Sequence, residues 1–234
     1  MENYNYIEFI ENNLIDERNR NIELYDWEKN IIKKTLGDNK IKKIWILTKR
    51  KSGATSFCHW LHWLRTEEEE TYLISHNNRR AEYIKRSSVI RLKNIFYKNN
   101  YIQQFGISWL NIISPRSIKL GLLDERENLK QVLHEQLLGL SDDNAKNVEK
   151  QTYHFWYDSN KFDKEVYTKL NTYNYTFFTI NLPYEEYENA KEFIEADRNR
   201  EDTIILVEPF GVDRNTEIEK IGEEFNKYRN EHLK

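Results

Sequence analysis

The chain has 234 residues, a net charge of −3 and 38% hydrophobic residues, an apolar content that supports a folded core and excludes an intrinsically disordered chain. Its one cysteine, Cys58, excludes an intramolecular disulfide and a cysteine-based zinc site, and favours a reducing intracellular compartment, cytoplasm or nucleus. No run of about 20 apolar residues is present, so we expect no membrane span.

The first predicted elements are a helix, a strand and a second helix. Leu24, Trp27, Ile31 and Leu36 recur with helical spacing and predict a helix within an N-terminal helical segment at 1–38. The apolar run "KKIWILT" at 42–48 predicts a buried strand. A loop with a glycine at 53 follows, and "SFCHWLHWLR" at 56–65 places its apolar side chains on one helical face.

The middle of the chain predicts one further strand and then helices. The strand is "ETYLISH" at 70–76. Helical spacing recurs in two later stretches, at Ile84, Val89, Leu92, Ile95 and Phe96, and in "ERENLKQVLHEQLLGL" after a possible cap at Asp124. We therefore predict a basic, mainly helical insertion at 73–150.

Strand patterns return in the last third. Aromatic and β-branched runs at 152–158, 174–182 and 202–210 alternate with helical segments such as "EEYENAKEFIEA". Alternating strands and helices predict an α/β fold with a mostly parallel sheet flanked by helices. Its core is expected to be split between 39–72 and 151–216, with an acidic helix at 217–234.

Charge is segregated along the chain. Residues 40–120 contain 16 Lys and Arg against 5 Asp and Glu, whereas residues 181–234 contain 8 against 15. A basic surface for nucleic acid is one interpretation, and neutralisation of the two regions across an interface is the other. The predicted nucleic-acid contacts are Arg79, Arg80, Lys85, Arg86, Arg91, Lys93 and Lys98, with Tyr83, Phe96, Tyr97 and Tyr101 available for base stacking.

The stretch "TKRKSGATSF" at 48–57 resembles a phosphate-binding loop between a strand and a helix. In the pattern GxxxxGK[ST], backbone N–H groups cradle phosphates, the lysine contacts them, and the hydroxyl binds Mg²⁺. Gly53 and Thr55 match this pattern, but Thr48 replaces the first glycine and Ala54 replaces the lysine. A basic helix-capping turn is the alternative interpretation.

Four segments in order resemble the superfamily-3 helicase domain, a P-loop NTPase, of replication-initiator (Rep) proteins from circular single-stranded DNA viruses and satellites. They are "LYDWEKNII", "KIWILTKRKSGATSFCHWL", "NKFDKEVYTKLNTYNYTFFTINLPYEEYENAKEFIEA" and "DTIILVEPFGVDRNTEIEKI". The resemblance implies a P-loop NTPase-like fold and assembly into homo-oligomers. It also implies a role in viral or mobile-element DNA replication.

The differences from this family fall where its chemistry takes place. The resemblance puts Ala54 at the Walker A lysine, Asn181 at the Walker B acid and Glu208 at the motif C asparagine. These changes predict a degenerate helicase-like domain, more a binding or assembly component than an enzyme, that can bind ATP without hydrolysis. The expected nucleotide-binding residues are Lys49, Arg50, Lys51, Ser52, Gly53, Ala54, Thr55, Asn181 and Glu208.

Two alternative functions remain. In an active NTPase, Lys49 or Lys51 would replace the missing lysine, and Asp124 or Asp158 would supply the acid. In an interaction scaffold, the acidic and basic regions would dock on a partner or on other copies. His59 and His62 are spaced i, i+3 and could share a metal, but we interpret them as surface residues of a helix and predict no metal site.

Overall fold

A parallel six-stranded sheet carries the fold of this protein. The structure, a computed structural model, describes residues 5–15, 20–36, 40–50, 52–65, 71–76, 78–87, 91–92, 110–124 and 153–208. Helices flank the sheet, which confirms the prediction of an α/β fold with a mostly parallel sheet.

Strands and helices alternate along most of the described chain. In chain order the elements are α1 Tyr6–Asn13, β1 Leu14–Ile15, α2 Asp26–Leu36, β2 Lys43–Thr48, α3 Ala54–Arg65, β3 Thr71–Ile74, α4 Asn78–Ser87, β4 Arg91–Leu92, β5 Leu110–Ile113, α5 Pro115–Lys119, β6 Tyr153–Asp158, α6 Lys164–Leu170, β7 Tyr175–Pro183, a 3₁₀ turn Tyr184–Glu186, α7 Tyr187–Asp197 and β8 Thr203–Glu208.

The order of strands across the sheet is β5-β3-β6-β7-β2-β8, and every neighbouring pair is parallel. All six carboxyl ends therefore lie along one edge, which we call the carboxyl edge; the opposite edge is the amino edge. Loops at the carboxyl edge of an open parallel sheet are the usual place for a ligand. β1 and β4 form a separate antiparallel pair.

The sheet is covered on both faces, which explains its continuous apolar strands. In β2, Ile44 and Ile46 belong to a core with Phe57 of α3, whereas Trp45 and Leu47 belong to a second core on the other face. The second core includes side chains from α6 and α7. Burial on both faces fixes the position of each strand end, and with it the side chains at the carboxyl edge.

The middle of the chain differs from the helical prediction. Ile84 lies in α4 as expected, but Leu92 lies in β4, where it pairs with Leu14. β5 was not predicted, and it extends the sheet beside β3. Its four residues are too few for a visible period, so only pairing with β3 defines them as a strand. The predicted helices at 125–140 and 217–234 lie outside the described residues.

None of the described helices combines the length and the apolar character that are needed to cross a membrane.

Candidate functional site

The loop between β2 and α3 is held by its own side chains. The Thr48 Oγ1 and Ser52 Oγ atoms are 2.7 Å apart, and the Ser52 N–H donates to the Lys49 carbonyl at 3.3 Å. Gly53 has a φ of 89°, a backbone conformation that residues with a Cβ adopt at a cost. The loop is therefore turned back sharply just before the helix begins.

The amino end of α3 faces this loop. The Gly53 carbonyl accepts the first helical hydrogen bond, from the Phe57 N–H at 2.9 Å. The N–H groups of the first helical turn have no acceptor within the helix, and the helix dipole gives them partial positive charge. Such a turn binds anions, phosphate groups included. Thr55 is partly exposed here and Ser56 is exposed.

A fully buried carboxylate, Asp158 at the end of β6, lies beside this helix. The Thr55 Oγ1 donates to its Oδ2 at 2.9 Å, and the Asn181 Nδ2 donates to the same oxygen at 2.7 Å. The Arg80 Nε and Nη2 donate to Oδ1 at 3.0 and 2.5 Å. Both carboxylate oxygens therefore have strong donors, as a buried charge requires.

Asn181, which the sequence places at the Walker B acid, lies beside Thr55 and Asp158. Its side chain is a hydrogen-bond donor to the Asp158 carboxylate. Asn181 is directly opposite Asp158 in the register of β6 and β7, and its Nδ2 is also 3.2 Å from the Thr55 Oγ1. The carboxylate that contacts the loop hydroxyl is thus Asp158, which the sequence offered as an alternative acid. Asp124, the other alternative, is exposed, and the Thr55 hydroxyl contacts Asp158 and Asn181 instead.

The other predicted nucleotide-binding residues are placed as follows. Lys49 and Arg50 are exposed on the loop, and Ser52 and Ala54 are buried beneath it. Glu208 ends β8, opposite Thr48 in the register. Lys51 lies outside the described residues. The carboxyl edge therefore brings together Ser52, Gly53, Ala54, Thr55, Asp158 and Asn181.

The predicted nucleic-acid contacts divide into three groups. Arg79, Arg80, Lys85 and Arg86 lie on α4 and Arg91 lies in β4, whereas Lys93, Lys98, Phe96, Tyr97 and Tyr101 lie outside the described residues. Arg79 is exposed, and Tyr83, one helical turn later, is 70% exposed. Arg80 points elsewhere, to Asp158. Its role in the site had no sequence signal, because the contact joins residues 78 positions apart.

The interpretation of His59 and His62 as surface residues is wrong, because both are buried where α3 packs on the sheet. The His62 Nε2 is 2.6 Å from the Thr179 Oγ1 in β7. Burial lowers the pKa of His59 to about 3, and it also lowers the pKa of His62. The part of the chain that the structure describes contains no group of three or more His, Cys, Asp or Glu side chains placed to bind a metal.

Sequence reasoning also missed a second buried ion pair, at the amino edge. The Lys43 Nζ is 3.0 Å from the Asp197 Oδ2 and 2.8 Å from the Asn171 Oδ1. Trp45 Nε1 and Tyr167 OH donate to the same carboxylate at 2.9 and 2.7 Å. Burial lowers the pKa of Lys43, and the neighbouring Asp197 opposes this shift. Nothing in the run "KKIWILT" distinguishes Lys43 from a solvated strand end.

No protein-family model matches the chain, and no curated protein or solved structure is significantly similar to it. Its function therefore has to be inferred from the geometry of the carboxyl edge.

Proposed function

We propose that this protein binds the phosphates of a nucleotide, together with Mg²⁺, in a P-loop-like site at the carboxyl edge, and that it hydrolyses the nucleotide slowly or not at all. The observation that carries the proposal is the 2.9 Å hydrogen bond between Thr55 and Asp158. In P-loop NTPases a loop Ser or Thr and an acid at the end of a strand hold the Mg²⁺. Here the same two groups meet across the sheet.

The phosphates would lie at the amino end of α3. Gly53 turns the loop so that it leads directly into the helix, and the first-turn N–H groups beyond Ala54, whose own N–H donates to the Ser52 Oγ at 3.4 Å, provide donors. Lys49 and Arg50, both exposed on the loop, add positive potential at its outer side. These features favour an anionic ligand even though position 54 has no amine.

The residues present fit Mg²⁺. Magnesium prefers oxygen ligands and usually keeps several waters, with one or two carboxylates and substrate phosphates completing its shell. The Thr55 hydroxyl and the Asp158 carboxylate are oxygen donors in contact with each other, and Thr55 is partly exposed. When bound, Mg²⁺ would neutralise charge on the phosphates.

The arrangement supports binding more than turnover. Hydrolysis needs a side chain that orients or deprotonates the attacking water. Among the described residues, Asp158 is the carboxylate bonded to Thr55, and the proposed Mg²⁺ site uses it as a metal ligand, so it does not also act on the attacking water. The next residue in the chain, Ser159, is buried and its hydroxyl accepts from the Lys161 N–H at 3.2 Å, so it does not supply a base either.

The resemblance to Rep helicase domains extends the proposal to a biological role. A parallel sheet with a loop and helix after β2 supports a P-loop NTPase-like fold, although other α/β folds share these features. On this basis the protein is a degenerate helicase-like domain that acts by binding and assembly, in viral or mobile-element DNA replication. Self-association into a homo-oligomer belongs to this extension.

Titration with ATP tests the nucleotide site. The wild type should bind ATP more tightly in Mg²⁺ than in EDTA. Thr55→Val removes the hydroxyl at nearly constant shape and should weaken Mg²⁺-dependent binding by about 10-fold, a loss equal to about one good hydrogen bond to a charged group. Thr172→Val is the matched control, because Thr172 is exposed and donates only to the Lys169 carbonyl.

Two results would contradict this proposal. The first is no detectable ATP binding to the wild type at concentrations on the order of millimolar, which correspond to about −4 kcal/mol of binding free energy. The second is equal affinity in Mg²⁺ and EDTA, because binding without metal dependence would leave Asp158 without a role.

Nucleic-acid binding through α4 is a second candidate function. Arg79 and Tyr83 share one exposed face of this helix, where a cation and an aromatic ring can contact the backbone and a base of a single strand. Binding to a short single-stranded oligonucleotide should weaken as salt rises, and Arg79→Ala should reduce the salt dependence. Lys191→Ala on α7 is the control, and affinity that is indifferent to salt would contradict this function.

A further inference from the structure

The nucleotide site lacks a lysine but contains an arginine that the loop pattern does not predict. Arg80 comes from α4, on the chain segment that follows β3, and its Nε and Nη2 contact the Asp158 Oδ1. Ala54 occupies the place where the loop pattern has its amine. The cation of this site therefore comes from another helix.

Arg80 and Thr55 donate to different oxygens of the Asp158 carboxylate. Oδ2 accepts from Thr55 and Asn181, which are held by α3 and β7, and Oδ1 accepts from Arg80. Asp158 is 0% exposed, so its charge requires a counter-charge. The Arg80 side chain, in contrast, is 31% exposed, so the guanidinium keeps contact with water.

Metal binding and the Arg80 contact compete for one carboxylate. A divalent cation beside Thr55 needs an oxygen of Asp158 and would stand a few Å from the guanidinium. The double charge of such a cation repels a nearby guanidinium about twice as strongly as a single charge at the same distance would. Once a cation takes an oxygen of Asp158, the phosphates of a bound nucleotide would offer the guanidinium new acceptor oxygens at the α3 amino end. Guanidinium binds phosphate oxygens through two parallel hydrogen bonds.

We propose that Arg80 is the cationic side chain of the nucleotide site. It neutralises Asp158 while the site is free of metal and nucleotide, and it transfers to the phosphates when Mg²⁺-ATP binds, in the role that a loop lysine has elsewhere. This inference rests on the proposed function. It adds a binding residue from α4 and predicts that Arg80 affects metal and nucleotide in opposite directions.

Arg80→Ala, Arg80→Lys and the control Arg198→Ala test this role in the full chain. Arg198 is an exposed arginine whose side chain pairs with Glu195, at 2.9 Å, and not with Asp158. Binding of Mg²⁺-ATP should weaken by about 10- to 100-fold in Arg80→Ala and by less in Arg80→Lys, because a lysine keeps the charge without the fork of two donors. Binding of Mg²⁺ alone, measured by the rise in Tm relative to EDTA, should be stronger in Arg80→Ala than in the wild type.

Each outcome decides a separate point. Wild-type affinity for Mg²⁺-ATP in Arg80→Ala, with binding otherwise intact, overturns the role of Arg80 and leaves the proposed function standing. If the Tm of Arg80→Ala falls equally in EDTA and in Mg²⁺, the ion pair is purely structural and the role of Arg80 is also overturned. No ATP binding by the wild type overturns the proposed function and this inference together. If Arg80→Ala does not fold, unchanged Mg²⁺-ATP affinity in Arg80→Lys still contradicts the proposal.

Discussion

The two ends of the sheet each bury a carboxylate against a cation, but they bury the cation to different extents. At the amino edge, Lys43 and Asp197 are 0% and 7% exposed; at the carboxyl edge, Arg80 and Asp158 are 31% and 0% exposed. The first cation is enclosed by protein, and the second remains in contact with solvent. Exposure of the cation therefore distinguishes an ion pair enclosed in the fold from one that solvent reaches, and the proposed release of Asp158 by Arg80 requires the second kind.

The surroundings of the two cations agree with this distinction. The Lys43 Nζ is also 3.1 Å from the Tyr167 OH and lies 5.4 Å from the centre of the Tyr167 ring, so an aromatic side chain fixes it on one side. Tyr167 in turn packs against Trp45. The Asp158 partners, in contrast, include Thr55, a hydroxyl that is itself partly exposed.

The largest effect is expected at the amino edge. Asp197→Asn would leave Lys43 buried without a counter-charge and should lower the free energy of unfolding by about 3–5 kcal/mol, the range for breaking a buried ion pair. Urea denaturation at neutral pH measures this loss. Arg198→Ala is the control, because its pair with Glu195 is largely exposed and should contribute less than about 1 kcal/mol.

The same substitution at the carboxyl edge should have a smaller effect. Asp158→Asn keeps the shape of the side chain, and Arg80 is exposed enough to be solvated, so we expect a loss of about 1–3 kcal/mol, the cost of unsatisfied buried hydrogen-bonding groups. Mg²⁺-dependent ATP binding should disappear. Equal destabilisation by Asp158→Asn and Asp197→Asn in urea would contradict the distinction between the two pairs.

Acid should lower the free energy of unfolding through His59, which is buried where α3 packs on the sheet. Burial holds the pKa of His59 at about 3, below its ordinary 6.5, so the unfolded chain binds the proton first as pH falls. The stability is complete above about pH 6.5 and is lost towards pH 3, by about 1.4 kcal/mol per pH unit, or about 2 kcal/mol at pH 5. His59→Leu should remove the His59 part of this slope in urea denaturation and leave the part that His62 contributes, and an unchanged slope would show that His59 does not contribute. His76→Leu is the comparison, because burial also lowers the pKa of this exposed histidine but less than that of His59, so it should change the slope less.

The smallest effect is expected in the loop. Gly53→Ala adds a Cβ to a residue with a φ of 89° and should lower the free energy of unfolding by about 1–2 kcal/mol. Because the N–H groups that follow would shift, ATP affinity should also fall. Gly121→Ala is the control with similar backbone strain, because Gly121 has a φ of 73° and a Cβ there meets nothing within 4 Å. Loss of affinity in Gly121→Ala but not in Gly53→Ala would contradict a loop site.

The sheet could be predicted from the sequence because its strands are buried on both faces. Continuous apolar runs such as "KIWILT" in β2 and "YHFWYD" in β6 mark strands without information from elsewhere in the chain. The loop could be predicted because its residues are contiguous. β5 could not, since its four residues become a strand only by pairing with β3.

The chemistry of the site was harder to predict because it depends on register. Asp158 and Asn181 are 23 positions apart, and only the pairing of β6 with β7 puts them side by side. The resemblance pointed to position 181 for the acid, whereas Asp158, one strand away, contacts Thr55. Arg80 and Lys43 gave no signal either, because a charged residue in sequence reveals nothing about the buried partner it meets in the fold.

The position of α4 and β5 limits how the chain can be divided. Both elements lie within the segment 73–150 that sequence patterns set apart as an insertion, yet β5 is a strand of the central sheet and α4 carries Arg80. A shortened chain without this segment would lose the outermost strand and the counter-charge of Asp158 together. α4 and β5 therefore belong to the same folded unit as the core strands, and a chain shortened by this segment should not keep the site.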